Sequence, residues 1–226
     1  MVVVLIIVAA VVAWYFLGNH DTKATKEALK LKERNADQKK VIRYFLNNGC
    51  VSKHISDQEY QKMLDRRLAQ FDFRKMALDK IGLDESELQE IAPVTFHDWL
   101  VDKTTYGRQG KDYKWRYSGY QVSWLFFSST QVYLYQYTLY MDCDEKKEVT
   151  NEYFYKDITS FNTSSDTVEV RYYDTKKKKD VLKNVDATRF CLVVPGDKMY
   201  CAMQQTPESE RAVQAMKTKL REKKNA

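Results

Sequence analysis

The hydrophobic pattern of this chain changes period at Pro93, and that change bounds the folds open to it. Before Pro93 apolar residues recur at helical spacing; after it they alternate, as they do along half-buried strands. A helical block followed by a run of short strands is the order expected of an α+β protein. On the helical side, Thr22 to Leu46 predicts a solvated helix with a thin apolar stripe of Leu29, Ala36, Val41, Ile42, Phe45 and Leu46, closed by Asn47-Asn48-Gly49. Ser56-Asp57-Gln58-Glu59 is a capping-box sequence, the hydroxyl serving one backbone N–H and the glutamate reaching back to another. The helix it starts places Tyr60, Leu64, Leu68, Phe71 and Leu78 on one face and ends at Gly82; Asp84 to Glu87 repeats the box ahead of Pro93.

On the strand side, Tyr120, Val122, Trp124 and Phe126 alternate with Gln121, Ser123 and Leu125. Further strands are predicted at Val132 to Met141, at Glu148 to Ile158, and at Ser160 to Thr163, the last ended by Ser164-Ser165-Asp166. Val168 to Tyr172 forms a fifth, and Arg189 to Val194 with Met199 to Met203 a hairpin across Pro195-Gly196-Asp197. Thr206 as N-cap and Pro207 at the first helical position open a last helix, with Ala212, Val213, Met216 and Leu220 on one side.

Met1 to Leu17 is an uninterrupted apolar run with Trp14 and Tyr15 near its end. As a helix it would be about 25 Å long, at the low end of what crosses a bilayer core. A cleaved signal peptide and a buried core segment are the competing readings, and the expected basic n-region and small-residue cleavage site are not visible. The leading expectation is a transmembrane anchor. The basic residues after the run then place everything from Gly18 onward in the cytoplasm of a single-pass protein at the cell membrane.

The net charge of +6 is unevenly spread. Residues 19–47 carry eight Lys/Arg against four acids, and the tail from Pro207 to Ala226 six against three, so the body between them is close to neutral. A nucleic-acid-binding domain is expected to carry a basic face of its own to neutralise phosphates, which argues against nucleic acid as a partner.

The order of about seven antiparallel strands and one C-terminal amphipathic helix resembles the pleckstrin-homology-like superfold. Phe154-Tyr155-Lys156-Asp157-Ile158-Thr159-Ser160 resembles the aromatic-x-Asp-Ile segment of bacterial PH-like and GRAM-type domains. The resemblance implies a strongly bent seven-stranded antiparallel sheet or barrel over 115–226, capped by the final helix. It follows a transmembrane anchor at 1–18, a helical juxtamembrane stalk at 19–92 and a connector at 93–114. That superfold hosts lipid binders, peptide binders and structural domains alike, so it does not by itself decide function.

The residues that carry chemistry are sparse. His20, His54 and His97 are far apart, which gives poor support to a helix-borne metal site or a histidine-based catalytic pair. His97-Asp98 is the nearest thing to an acid/base couple, within a predicted connector. Gly107-Arg108-Gln109-Gly110-Lys111 lacks the spacing of a phosphate loop and reads as a flexible segment. Cys191 and Cys201 are equidistant from Gly196, which would set them opposite each other in the hairpin, as two thiols in a reducing compartment or as a disulfide outside one. Tyr133, Tyr135 and Tyr137 share one strand face, as cross-strand packing or as a partner-binding aromatic surface.

Lys176, Lys177, Lys178 and Lys179 are the candidate contact for an anionic lipid headgroup or a partner, with Lys146, Lys147, Lys183 and Lys198 available to join them; the alternative is a solvated hairpin tip. The expectation is a non-catalytic, membrane-tethered module that recognises a protein partner, with no cofactor and no metal. Anionic-lipid recognition and an enzyme with a dispersed polar site are the alternatives.

Overall fold

The computed structural model describes residues 6–7, 21–47, 54–84, 86, 92–174, 176–177 and 179–225. Among them lie five helices: α1 Lys23–Leu31, α2 Ala36–Leu46, α3 Asp57–Leu68, α4 Phe73–Ile81 and α5 Pro207–Asn225. Nine strands follow the first four helices: β1 Val94–Leu100, β2 Tyr106–Gln109, β3 Trp115–Tyr117, β4 Gly119–Phe127, β5 Gln131–Tyr140, β6 Lys146–Phe154, β7 Ser160–Asp174, β8 Lys179–Val194 and β9 Asp197–Ala202.

Each of the two expected long helices is two short ones. α1 ends at Leu31 and α2 restarts on a capping box in which the Asn35 side chain accepts from the Gln38 N–H while Gln38 caps the Asn35 N–H. Arg34 lies in the break and is buried; its Nε donates to the Asp142 carbonyl at 2.8 Å and its Nη1 to the Ala28 carbonyl at 2.5 Å. The break therefore carries a residue that fastens the helices to the turn after β5. α3 and α4 are separated in the same way, with the Asp72 side chain capping the Lys75 N–H at 3.0 Å. Gly82 closes α4 in the left-handed conformation, φ 76°.

The strands form two open sheets, β1-β4-β5-β6 and β3-β2-β7-β8-β9. All described pairings are antiparallel except β2 with β7. Strand β7 runs unbroken through Ser164-Ser165-Asp166, because the ladder to β8 continues there as Ser164↔Arg189, Ser165↔Thr188 and Asp166↔Ala187. Those residues meet solvent or lie half-buried, so hydrogen bonding to the partner strand holds them extended without an apolar signal. Pro195-Gly196 is a two-residue turn with Gly196 at φ 83°, the left-handed position that glycine takes without steric cost.

The four-stranded sheet is buried on both faces. Tyr120, Val122, Phe126, Tyr135, Tyr137 and Leu139 pack under the helices with Tyr44, Phe45, Tyr60 and Leu64. On the other face Leu125, Phe127, Val132 and Leu134 meet Phe161, Phe190 and Leu192 of the second sheet and Val213, Met216 and Leu220 of α5. The result is a layer of helices, a central sheet, and a second sheet with α5 beside it.

This architecture corrects the expected one. Two open sheets of four and five strands replace the seven-stranded barrel, and the supposed connector supplies β1 and β2. Residues 19–92 are no solvated stalk: Val41, Ile42, Tyr44, Phe45 and Leu46 are fully buried against the sheet. Among the described residues no helix is long and apolar enough to cross a membrane. The 19-residue α5 has the length but carries nine charged side chains. The transmembrane anchor, and with it the single-pass topology, the membrane partner and the cytoplasmic placement, is thus not upheld. Residues 1–17, on which that reading rested, lie outside the described residues except for Ile6 and Ile7.

Helix docking has one clear test. The fully buried Tyr60 hydroxyl on α3 donates to the Tyr117 carbonyl of β3 at 2.6 Å, while its ring stacks on Tyr44 and Trp99. Tyr60→Phe keeps the rings and orphans a buried carbonyl, an expected loss of about 1–3 kcal/mol. Urea unfolding should show a lower midpoint at an unchanged m value; an unchanged midpoint would mean that α3 does not dock there.

Candidate functional site

Between the two sheets, where β1 and β4 face β3, β8 and β9, lies a cleft of about 440 Å³. Its character follows from the alternation along β1. Phe96 and Asp98 fall on the face toward the second sheet, and His97 and Trp99 on the face toward the helices. Phe96 is consumed by the inter-sheet core. Asp98, one pleat further along, reaches the point where that core ends.

The floor of the cleft is made of amides that stitch the sheets together. Gln121, paired with Asp98 across β1–β4, accepts the Ala202 N–H at 2.8 Å on its Oε1 and donates to Thr138 Oγ1 at 3.3 Å. Gln136 donates to the Tyr200 carbonyl at 2.8 Å and to Ser123 Oγ at 3.2 Å. Edge strand β9 thus finds hydrogen-bond partners among side chains of the other sheet, which fixes Tyr200 at the rim. Trp115 and Tyr117, ring centroids 6.0 Å apart and nearly parallel, form the aromatic wall.

The charged groups in the cleft differ in how fully they are engaged. Arg189 donates from Nη2 to the Val101 carbonyl at 2.9 Å and lies 5.8 Å from the Tyr200 ring centroid. Asp102 accepts the Thr104 and Thr105 N–H groups, and Asp186 accepts from the Thr167 hydroxyl at 3.1 Å. Asp98 takes a single hydrogen bond, from the Trp99 N–H to Oδ1 at 2.7 Å, and joins no ion pair among the described residues. Burial pushes its carboxyl up to about 6, against the smaller opposing pull of the Trp99 N–H. A carboxylate so displaced in a cleft is a candidate functional group.

The residues singled out from sequence fare unevenly. His97 and Asp98 point to opposite sides of β1, and the His97 Nδ1 meets the Tyr120 hydroxyl at 2.8 Å on the helix side; the two are not a couple. Burial lowers the His97 pKa. Lys176 and Lys177 are exposed at the β7–β8 tip, where their N–H groups donate to Asp174 Oδ1 at 2.8 and 3.1 Å. Lys179 opens β8 and Lys178 lies outside the described residues. Lys198 pairs with Val193 at the opposite end of β8, and Lys146 and Lys147 belong to the other sheet, so these basic residues do not converge on the tip.

Cys191 pairs with Tyr200 and Cys201 with Phe190, one residue out of register, so the two thiols point to opposite faces and are free. Burial pushes the Cys201 thiol up to about 12. The tyrosine face of β5 is covered by helices: Phe71 and Phe73 lie 5.2 and 5.6 Å from the Tyr137 ring, and the Tyr135 hydroxyl donates to Glu148 at 2.7 Å. The Gly107–Lys111 segment is held rather than loose. Arg108 is buried over the Tyr44 ring at 4.6 Å, and the Lys111 N–H donates to Asp57 at 3.0 Å. At Gly110 a Cβ would come within 2.5 Å of Arg116 Nη1, so a larger residue there would displace the ends of the Arg116, Asp112 and Asp57 side chains.

Sequence reading passed over Asp98 as a site in its own right. The available signal was an acid on the inward face of a strand, between Phe96 and Leu100, which β1 shows only once it is read as a strand. Among the described residues no group of three His, Cys, Asp or Glu side chains is placed to hold a metal. The chain matches no family model, no curated protein and no solved structure.

The Asp98 environment predicts a signed pH effect. A carboxyl whose folded pKa is raised costs stability above that pKa, and the cost disappears as pH falls and the group protonates in the folded state. Asp98→Asn, which keeps the acceptor for Trp99, should therefore melt a few degrees higher than the parent at pH 8 and equal to it near pH 4. The reverse ordering in thermal melts followed by circular dichroism would place Asp98 in a solvated or ion-paired setting.

Proposed function

We propose that this chain is a non-catalytic binding module whose inter-sheet cleft receives part of another protein. The observation that carries this is the cleft itself. It joins an aromatic wall of Trp115 and Tyr117, a rim tyrosine at Tyr200 and the half-buried, singly hydrogen-bonded carboxylate of Asp98, over a floor whose amides are already satisfied. Aromatic side chains held rigidly around a few convergent polar groups are the composition of recognition sites. Acid/base or covalent catalysis needs a second group within hydrogen-bond reach of the first. The histidine nearest Asp98 in sequence is turned to the far side of the sheet.

The tyrosine face of β5 and the lysine tip support a binding role less well. The first is occupied by the protein's own helices, and the second lacks converging partners.

Panning a displayed random-peptide library against the full chain tests the reading. A selected sequence should bind saturably, change the emission of the tryptophans lining the cleft, and lose at least tenfold in affinity with Tyr200→Ala or Trp115→Ala. Phe154→Ala, on an exposed ring of β6 outside the cleft, should leave binding unchanged. No enrichment, or peptides that ignore both cleft variants, would overturn it.

A further inference from the structure

Resting on that reading, we infer that the group received by the cleft is a lysine side chain of the partner protein, its ammonium seated on Asp98 and its methylene stem against Trp115 and Tyr117. The cleft carries three carboxylates, Asp98, Asp102 and Asp186, against one cation, Arg189. Arg189 is committed to the Val101 carbonyl and the Tyr200 ring, whereas Asp102 and Asp186 are each engaged by neighbouring hydroxyls or N–H groups. Asp98 Oδ2 accepts no hydrogen bond among the described residues. Oδ2 of Asp102 and of Asp186 accepts none either, but Asp102 already takes three donors on Oδ1 and Asp186 is exposed to water, whereas Asp98 lies half-buried with a single donor and has the most to gain from a cation.

The Trp115 ring already holds an ammonium of the chain's own, from a side chain outside the cleft lining. Lys183 Nζ lies 4.7 Å from the Trp115 ring centroid and 5.1 Å from that of Tyr172, within the range of cation–π attraction. The aromatic surface is therefore compatible with a lysine head and stem, with Tyr117 extending it toward Asp98. An ammonium is also the donor best matched to a single carboxylate with one free oxygen, since the planar fork of a guanidinium calls for two.

Recognition of this kind depends on pH. The titratable and charged groups around Asp98 are Asp102 from the β1–β2 turn, Tyr117 from β3, Tyr120 from β4, Asp186 and Arg189 from β8, and Tyr200 from β9. Burial and the charge of Asp98 hold the Tyr117 and Tyr120 phenols above their ordinary value, so neither loses its proton near neutrality. Asp98 is the cleft group whose protonation changes near pH 6. Its ionised form binds a cation and its protonated form does not, so affinity falls as pH drops below that value.

Nuclear magnetic resonance titration of the full chain with N-acetyl-lysine-N-methylamide tests the inference, with the norleucine and arginine analogues as comparisons. The lysine compound should shift the Trp115 indole and Gln121 side-chain signals saturably and bind at least tenfold tighter than the norleucine one. Its affinity should fall about three- to fivefold from pH 6 to pH 5. Asp98→Asn, checked for native near-ultraviolet dichroism, should abolish the difference between lysine and norleucine. Equal binding of those two compounds, tighter binding of the arginine compound, or a preference that survives Asp98→Asn would each overturn the lysine assignment.

The selected peptide separates the two claims. If its binding depends on Tyr200 but not on Asp98 or on its own lysines, the module reading stands and the lysine assignment falls. If it ignores Tyr200 and Trp115, the cleft reading falls with it.

Discussion

The sheet β1-β4-β5-β6 has apolar residues on both faces, and one covering layer cannot bury them both. Along β4 the positions of Tyr120, Val122 and Phe126 look one way and those of Leu125 and Phe127 the other, all of them buried. At about 25 cal/mol per Å² of apolar surface, leaving either face wet would cost more than a domain's net stability. The four N-terminal helices satisfy one side, chiefly through stacked rings of Tyr44, Tyr60 and Trp99; the second sheet and α5 satisfy the other. The placement of every other element answers to that double burial.

The inter-sheet face is apolar at only one end. Toward β9 the inward positions become Gln121, Ser123, Gln136 and Thr138, which bond to one another and to the backbone of β9. Buried amides need partners, and the edge strand of the second sheet supplies them. The cleft lies beside this polar seam, with Gln121, Tyr200 and Ala202 in its lining. Asp98 marks that boundary: it stands at the next inward position after the buried Phe96, where the apolar core has ended.

Much of the fold could be read from residue patterns where local chemistry and tertiary packing agree. The alternation from Tyr120 marks β4, Gly82 closes a helix at φ 76°, and the Thr206 hydroxyl caps the start of α5. Reading failed where the deciding partner is distant in sequence. Ser164-Ser165-Asp166 looks like a turn until β8 pairs with it, and the polar run between α1 and α2 looks like continuous helix until Arg34 is seen to reach Asp142. β1 follows a proline and mixes polar with aromatic residues, so its period is weak; its identity comes from pairing with β4. The cleft could not be read for the same reason. Its lining is drawn from β1, β3, β4, β8 and β9, and only the packing of the two sheets brings these together.

Asp98 is held between two sheets with no counter-ion among the described residues, and the cation proposed for it comes from outside the chain. The most direct measurement is the pH titration of the Asp98 side-chain carboxyl carbon by nuclear magnetic resonance in the full chain, with and without the lysine compound at saturation. The account requires a midpoint near 6 for the free protein and a fall of at least one unit when the ammonium is bound. A midpoint in the ordinary aspartate range, unmoved by the ligand, would contradict it.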